Sequence, residues 1–217
     1  MLSKKKDLLI LIPALNEQKT IENIIKKLKK YGHILVIDDG SRDDTKFVAN
    51  KNGATVIKHN TNRGYNEALN TGFKFFLKKK YKKVITIDAD GQLPAKYVKI
   101  FNDKLNSNFE IICGVRSKVE RFGEKFFLFF SKIIWNLNDP LCGLKGFSYS
   151  FLKKNFSHFK FDSINTELLI KGRKISSRIN QVPIKNISRK DSSRFGEGIK
   201  ANIIIITTLL KCLIFIK

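Results

Sequence analysis

The residues of this chain best placed to do chemistry are Asp88 and Asp90, in the run Val84-Ile-Thr-Ile-Asp88-Ala-Asp90-Gly-Gln92. Four β-prone residues lead straight into two carboxylates spaced i, i+2, with Gly91 and Gln92 behind them. A buried strand that ends this way delivers hard oxygen ligands to the carboxyl edge of a sheet, where open α/β sheets bind their ligands. Two carboxylates with nothing softer beside them suit Mg²⁺ or Mn²⁺, ions that commonly hold substrate phosphates rather than sit in all-protein cages. The same residues would also serve as a strand followed by an Asp-Gly turn. What surrounds them decides between the two.

The elements that must position this pair alternate in type. Residues 8–12 read as a buried strand, 17–31 as a helix with Ile21, Ile24, Ile25 and Leu28 on one face, and 34–37 as a second strand. A short helix over 43–52, a strand over 54–58, a helix over 65–79 and a strand over 84–87 follow. Such alternation implies βαβ units and a mostly parallel sheet. Further on, 94–105 is expected to be helical, 110–114 a strand, 123–137 an apolar and aromatic helix, and 164–174 a helix. A strand over 179–187 contains Pro183, which predicts an edge position. We divide the chain into a catalytic unit, residues 1–198, and an apolar C-terminal segment, 199–217, that is not a separate domain.

Composition narrows the class. A chain of 217 residues is expected to form one domain with a real core. Cys113, Cys142 and Cys212 form no Cys-x-x-Cys pair, which argues against a zinc site or disulfide framework and fits a reducing compartment. Leu8–Ile12 is too short for a signal peptide, and Pro13 and Asn16-Glu17 follow at once. The formal charge of +23 predicts attraction to polyanions: nucleic acid, anionic lipid or phosphorylated substrates. Lysines on solvated helix faces would give the same total.

Three loops leave the first three predicted strands: Pro13-Ala-Leu-Asn16-Glu17, Asp38-Asp39-Gly40-Ser41, and His59-Asn-Thr-Asn62-Arg63-Gly64. Carboxylates there could accept hydrogen bonds from ribose or base, and Gly40 and Gly64 allow close backbone approach. Asn16 or Ser41 could equally cap the next helix. No Gly-x-x-x-x-Gly-Lys or Gly-x-Gly-x-x-Gly occurs, so neither a P-loop nucleotidase nor a dinucleotide oxidoreductase is supported. Together with Ala68, Gly72 and the Asp88-Ala-Asp90-Gly-Gln92 run, these loops follow the order and spacing of glycosyltransferase family 2. The chain most resembles the branch of dolichol-phosphate mannosyltransferases and bacterial polyprenyl-phosphate glycosyltransferases, over nearly its whole length. The resemblance implies an α/β, A-type glycosyltransferase fold: a Rossmann-like, nucleotide-diphospho-sugar transferase architecture with a mostly parallel central sheet flanked by helices. It also implies that Pro13, Asn16, Glu17 and Asp39 frame the base and ribose with Asp38 in support, and that Asn62, Gly64 and Ala89 complete the nucleotide-sugar site. Asp88, Asp90 and Gln92 would hold Mg²⁺ or Mn²⁺ on the diphosphate.

Later motifs match in place. Gly114-Val-Arg116 stands where the family has Gly-Ser-Arg, an arginine expected near the acceptor phosphate. Asp139-Pro-Leu-Cys-Gly143-Leu-Lys145-Gly-Phe147 resembles the Asp-x-x-x-Gly-x-Arg/Lys segment, and Glu167 fits the Glu-hydrophobic motif. Arg189, Ser193 and Arg194 resemble the closing Arg-x-x-Gly-x-Ser-Lys, with one residue fewer and Ser192 where Gly is usual. By this resemblance Asp90, Arg116, Asp139, Arg189 and Arg194 are the candidate catalytic residues, and Arg116, Lys145, Ser193 and Arg194 bind the acceptor. Surface charge is the competing explanation for each arginine. An arginine-rich, base-poor site suits an acceptor that is already anionic, because a polyprenyl monophosphate needs no proton removed before attack. Arginine binds phosphate bidentately. A hydroxyl acceptor would need a carboxylate or His base. His33 and His158 read as surface residues, His59 lies in a nucleotide-side loop, and Asp139 is the remaining candidate, with an arginine-orienting role favoured.

Two segments point to a membrane. Phe126-Phe-Leu-Phe-Phe130 through Trp135 is too aromatic for an exposed helix and is bracketed by Arg121, Lys125 and Lys132. Residues 199–216 place Lys200, Thr207 and Lys211 on one helical stripe. The apolar run 203–216 spans roughly 21 Å as a helix, short of a hydrocarbon core of about 30 Å, so an interfacial position is expected. A core helix with Lys211 snorkelling is the alternative. The expected activity is a metal-dependent inverting transfer from a nucleoside-diphosphate sugar, GDP-mannose or a UDP-sugar, to polyprenyl or dolichyl phosphate. It would take place on an anionic membrane surface, with the protein peripheral at the cytoplasmic face. Related enzymes often carry further transmembrane helices or a second domain; none is expected here, and a membrane-protein partner is a further expectation. The rivals are a family 2 enzyme acting on a hydroxyl of a glycan or lipid, an inactive relative used as a binding module, and a nucleic-acid-binding protein. The last has no recognised motif, and its strand-end carboxylates would repel phosphate backbones, so no nucleic acid is expected.

Overall fold

A computed structural model describes residues 7–119, 121–156, 163–187 and 199–215. The first half follows the alternation expected from the sequence: β1 (Leu8–Ala14), α1 (Ile21–Leu28), β2 (His33–Asp38), α2 (Thr45–Lys51), β3 (Thr55–Lys58), α3 (Tyr65–Lys79) and β4 (Lys83–Thr86). The second half comprises α4 (Lys96–Asn106), β5 (Ile111–Arg116), α5 (Phe122–Trp135), β6 (Lys145–Ser148), α6 (Tyr149–Asn155), α7 (Ile164–Lys174), β7 (Ile179–Ile184) and α8 (Ile199–Phe215). The helix expected over 17–31 is shorter. Its first residues form a turn in which Thr20 Oγ1 donates to Glu17 Oε2 at 2.8 Å and lies 2.7 Å from Ala89 O. β6 and α6 were not anticipated.

The strands form one sheet in the order β3-β2-β1-β4-β6-β5-β7. All pairs are parallel except those of β6, which runs antiparallel to both β4 and β5. β7, with Pro183, closes one edge, where a residue without an N–H is tolerated. The chain winds outward from β1 through β2 to β3, then returns to place β4 on the other side of β1. A crevice opens at the carboxyl ends of strands where the order reverses in this way, and here it opens beyond Pro13 and Ile87.

Both faces of the sheet are covered, which accounts for the unbroken apolar strands. On β1, Leu8, Ile10 and Ile12 join Ile21, Ile25, Leu28, Val98 and Phe101 in one core layer. Leu9 and Leu11 join Phe73, Phe76, Phe127, Leu168 and Leu169 in the other. The two-residue alternation of Cβ directions splits the strand between them, and each fully buried Leu or Ile contributes about 1.5–3 kcal/mol. Gly72 lets α3 approach β1: a Cβ there would lie 2.3 Å from Leu11 Cδ1.

α8 packs along α5. Leu209 and Cys212 are buried, and Asn202 Oδ1 accepts from the backbone N–H of Gly123 at 2.8 Å. The outer surface of this helix pair is apolar, with Phe122, Phe129 and Ile133 of α5 exposed by 69%, 62% and 66% and Ile203, Ile204, Leu210 and Ile214 of α8 also exposed. Among the described residues, no helix is long and apolar enough to cross a membrane.

Candidate active site

A cavity of about 720 Å³ occupies the crevice. Of the residues singled out from the sequence, Pro13, Glu17, Asp39, Asn62, Gly64, Asp88, Ala89, Asp90 and Gln92 line it, as do Arg116 and Lys145. Asn16, Asp38 and Asp139 stand behind its wall, and Arg189, Ser193, Arg194 and His158 lie outside the described residues.

At the end beyond β1 and β2, Asp39 is the hub. Its Oδ1 accepts from Arg63 N at 2.9 Å and from His59 Nδ1 at 2.7 Å, and its Oδ2 accepts from Gly64 N at 2.8 Å. His59 Nε2 lies 2.9 Å from the Thr71 hydroxyl, so both ring nitrogens are partnered. His59 is therefore a buried positioning group. His33, expected on the surface, is half-buried, with its Nε2 2.8 Å from Thr55 Oγ1. Asp38 is fully buried and accepts from Ser41 N at 2.8 Å. Asn16, at φ +52°, donates from its N–H to Ser41 Oγ and accepts from Arg42 N on its Oδ1, both at 2.9 Å. Asn16 thus ties the first loop to the second, Asp38 braces the turn within the second, and neither Asn16 nor Ser41 caps a helix.

Beyond β4, Asp88 and Asp90 enter the middle of the cavity. Asp90 Oδ1 accepts from Gln92 N at 3.0 Å, across a turn that Gly91 makes at φ +78°. Asp88 Oδ1 accepts from the Tyr65 hydroxyl at 3.0 Å. Gly143 presses against this carboxylate so closely that a Cβ would sit 2.0 Å from Oδ2. Burial and then the Asp90 charge push the pKa of Asp88 up to about 6, against the Tyr65 hydrogen bond and the charges of Lys145 and Arg116. A buried carboxylate whose ionisation is opposed by a second carboxylate beside it belongs to a donor set suited to a hard divalent cation. No cluster of three or more His, Cys, Asp or Glu ligands occurs among the described residues, so beyond Asp88, Asp90 and Gln92 the ligands of such an ion would come from substrate oxygens and water.

The far end carries Arg116, Lys118, Arg121 and Lys145. The Arg116 guanidinium forks onto Asp139, with Nε 2.7 Å from Oδ2 and Nη2 3.0 Å from Oδ1, and its Nη1 reaches Glu124 Oε1 at 3.2 Å. Burial works against the charge of Arg116, but these carboxylates outweigh it and its pKa is raised. Asp139 is fully buried with both oxygens on Arg116. Lys145 is buried and donates to Cys142 O. Val119, Leu141, Ile187, Ile204 and Ile205 make this end apolar as well as basic. Glu167 does not line the cavity, whereas Asn165 and Thr166 beside it do. Sequence reasoning missed Asn165, Tyr65 and Glu124. Tyr65 follows the Gly64 already singled out, and Glu124 is the acidic residue inside an otherwise apolar helix.

The model of glycosyl transferase family 2 matches residues 9–156. The chain belongs to this family. It is therefore a glycosyltransferase, and its crevice is the place to seek the donor and acceptor. An uncharacterized protein of Methanocaldococcus jannaschii is 34% identical, over 97% of this chain and 94% of its own length. The UDP-N-acetylglucosamine–dolichyl-phosphate N-acetylglucosaminyltransferase of Methanococcus voltae is 29% identical, over 93% and 94%. The glucosyl-3-phosphoglycerate synthase of Mycobacterium tuberculosis, solved with Mn²⁺, uridine diphosphate and phosphoglyceric acid, superposes with a TM-score of 0.76. It covers 95% of this chain and 78% of that one at 21% identity, which shows a shared A-type fold.

Proposed function

We propose that this family 2 enzyme transfers a sugar, with inversion, from a nucleoside-diphosphate sugar to a polyprenyl or dolichyl phosphate at the cytoplasmic face of a membrane. The observation that carries this reading is the far end of the cavity. Four cations and several apolar side chains line it, while Asp139 and Glu124 are both committed to Arg116. An acceptor hydroxyl would need a base there. A lipid phosphate arrives already ionised and needs only to be oriented, which cations do.

Asp39 and its loop would receive the nucleoside, and Asp88, Asp90 and Gln92 would hold Mg²⁺ or Mn²⁺. When bound, that ion would neutralise charge developing on the departing nucleoside diphosphate. Lys145, buried near Asp88, would balance the carboxylates once the donor has left. Arg116, fixed by Asp139 and Glu124, would present one rigid edge to the acceptor phosphate, so little ordering remains to be done at the moment of attack. The exposed apolar faces of α5 and α8 would rest in the interface of an anionic bilayer, beside the apolar end of the cavity. The Methanococcus voltae relative is named for a dolichyl-phosphate acceptor and a UDP-linked donor, which supports the same assignment here.

The test is an acceptor screen with labelled UDP- and GDP-sugars, Mn²⁺, and either polyprenyl phosphate in anionic vesicles or soluble oligosaccharides. A lipid-linked sugar phosphate is the expected product. Transfer to the oligosaccharide with none to the lipid phosphate would move the assignment to a hydroxyl acceptor.

A further inference from the structure

The Asp88 carboxylate is held by residues that no motif announced. Tyr65 opens α3 and Asn165 lies in the first turn of α7, far apart in sequence. The two helix starts are stitched together beside the end of β4, where Asn66 Oδ1 accepts from Ile164 N at 3.0 Å. The Tyr65 hydroxyl donates to Asp88 Oδ1 at 3.0 Å, and the Asn165 side chain hydrogen-bonds to that same hydroxyl. The orientation of the Asn165 amide is set by its other contact. Nδ2 donates to Thr86 Oγ1 at 3.3 Å, and Thr86 Oγ1 in turn donates to Gly143 O at 2.9 Å. Asn165 Oδ1 has no partner among the described residues, which leaves Nδ2 as the atom that serves Tyr65.

We propose that Asn165 and Tyr65 are positioning residues that fix the Asp88 carboxylate for a divalent cation. Asn165 Nδ2 donates to the Tyr65 oxygen, Tyr65 O–H donates to Asp88 Oδ1, and the rest of the carboxylate's lone-pair capacity is left for the ion. The inference rests on the metal role given to Asp88 above. A carboxylate has about four acceptor sites, so one neutral donor orients the group without saturating it. Outer partners of this kind commonly govern metal affinity by 10- to 100-fold, because a misdirected ligand must be reordered by the ion.

The test is a Mn²⁺ titration of the full chain followed by water-proton relaxation, with and without UDP or GDP. This signal separates protein-held Mn²⁺ from Mn²⁺ on free nucleotide. Tyr65→Phe keeps the ring and removes the donor, and is expected to weaken Mn²⁺ binding by about tenfold or more. Asn165→Ala is expected to weaken it by a smaller factor in the parent chain and to add nothing in the Tyr65→Phe background, because its effect passes through the hydroxyl. General loosening of the site would make the two losses additive. Unchanged affinity in either folded variant, or additive losses, overturns the relay while leaving the metal site standing. A parent chain that binds neither Mn²⁺ nor Mg²⁺ overturns the metal reading, and the relay with it.

Discussion

Replacing Asp88 by Asn should stabilise the metal-free protein, although the reading above makes it fatal to activity. Asp88 has an ordinary pKa of 3.8 and is pushed up to about 6 in the fold. A group whose pKa is raised on folding binds protons more tightly in the native state, so its ionisation destabilises that state. The cost is absent below the unfolded value, grows between about pH 4 and 6, and is fully present above about 6. At about 1.4 kcal/mol per tenfold change in proton affinity, it amounts to about 3 kcal/mol at pH 8 and about half that at pH 5. The amide of Asp88→Asn can still accept from Tyr65 but brings N–H groups of its own to satisfy, so a gain of about 2 kcal/mol is expected at pH 8. For a chain of this size that is about 4–8 °C in melting temperature. The assay is thermal denaturation in EDTA at pH 8 and pH 5, repeated with Mn²⁺. The variant should melt higher at pH 8, the difference should shrink at pH 5, and Mn²⁺ should raise the melting point of the parent alone. A variant that melts at or below the parent at pH 8 in EDTA would refute the electrostatic reasoning.

Asp90→Ala should abolish turnover while shifting metal-free stability by no more than about 0.5 kcal/mol, as expected of a group outside the core; undiminished turnover in saturating Mn²⁺ contradicts this. Arg116→Ala should impair use of the acceptor more than binding of the donor. It should also destabilise the fold by about 3–5 kcal/mol in urea titrations, because it strands the fully buried Asp139 without its partner; a loss below about 1 kcal/mol would mean that water reaches Asp139. Gly143→Ala would put a methyl group 2.0 Å from Asp88 Oδ2, and displacing the carboxylate by that much should cost about 100-fold in turnover; wild-type rates would show that the loop moves aside freely. Phe129 and Ile133 are 62% and 66% exposed, so the double change to Ser should leave stability within about 0.5 kcal/mol while weakening binding to anionic vesicles about tenfold, and unchanged vesicle binding would dissociate this face from the membrane. Deleting residues 199–217 is a poorer test of the same idea, because Ile204, Ile205 and Thr208 of α8 also line the cavity.

Much of this molecule is legible where sequence and local structure share a period. The continuous apolar run of β1 and the Ile21, Ile24, Ile25, Leu28 face of α1 announce themselves, and so does the carboxylate pair that ends β4. Lys145-Gly-Phe-Ser148 does not, since a lysine and a glycine in four residues carry little strand preference. It becomes a strand because β4 and β5 both pair with it, a tertiary effect outside any local window. Tyr65 and Asn165 were invisible for a related reason, because their contact exists only where two helix starts converge. Asn16 was found as a loop residue, yet which atoms it meets depends on Ser41 and Arg42 arriving from the next loop.

The unanticipated strand also explains how opposite charges share one crevice. A parallel strand entering between β4 and β5 would begin at their amino ends, so the loop before it would lie on the far side of the sheet from Asp88. β6 instead runs antiparallel and begins where β4 and β5 finish, in register with Thr86 and Cys113 at Lys145. That reversal delivers residues 139–145 to the ligand edge. It sets Gly143 against the Asp88 carboxylate, buries Lys145 nearby, and brings Asp139 under Arg116 at the end of β5. The carboxylates come from the parallel half, where the strand order turns, and the cations come from β5, β6 and the start of α5. One antiparallel insertion in a parallel sheet is thus enough to place a lysine and an oriented arginine opposite a pair of acidic strand-end ligands.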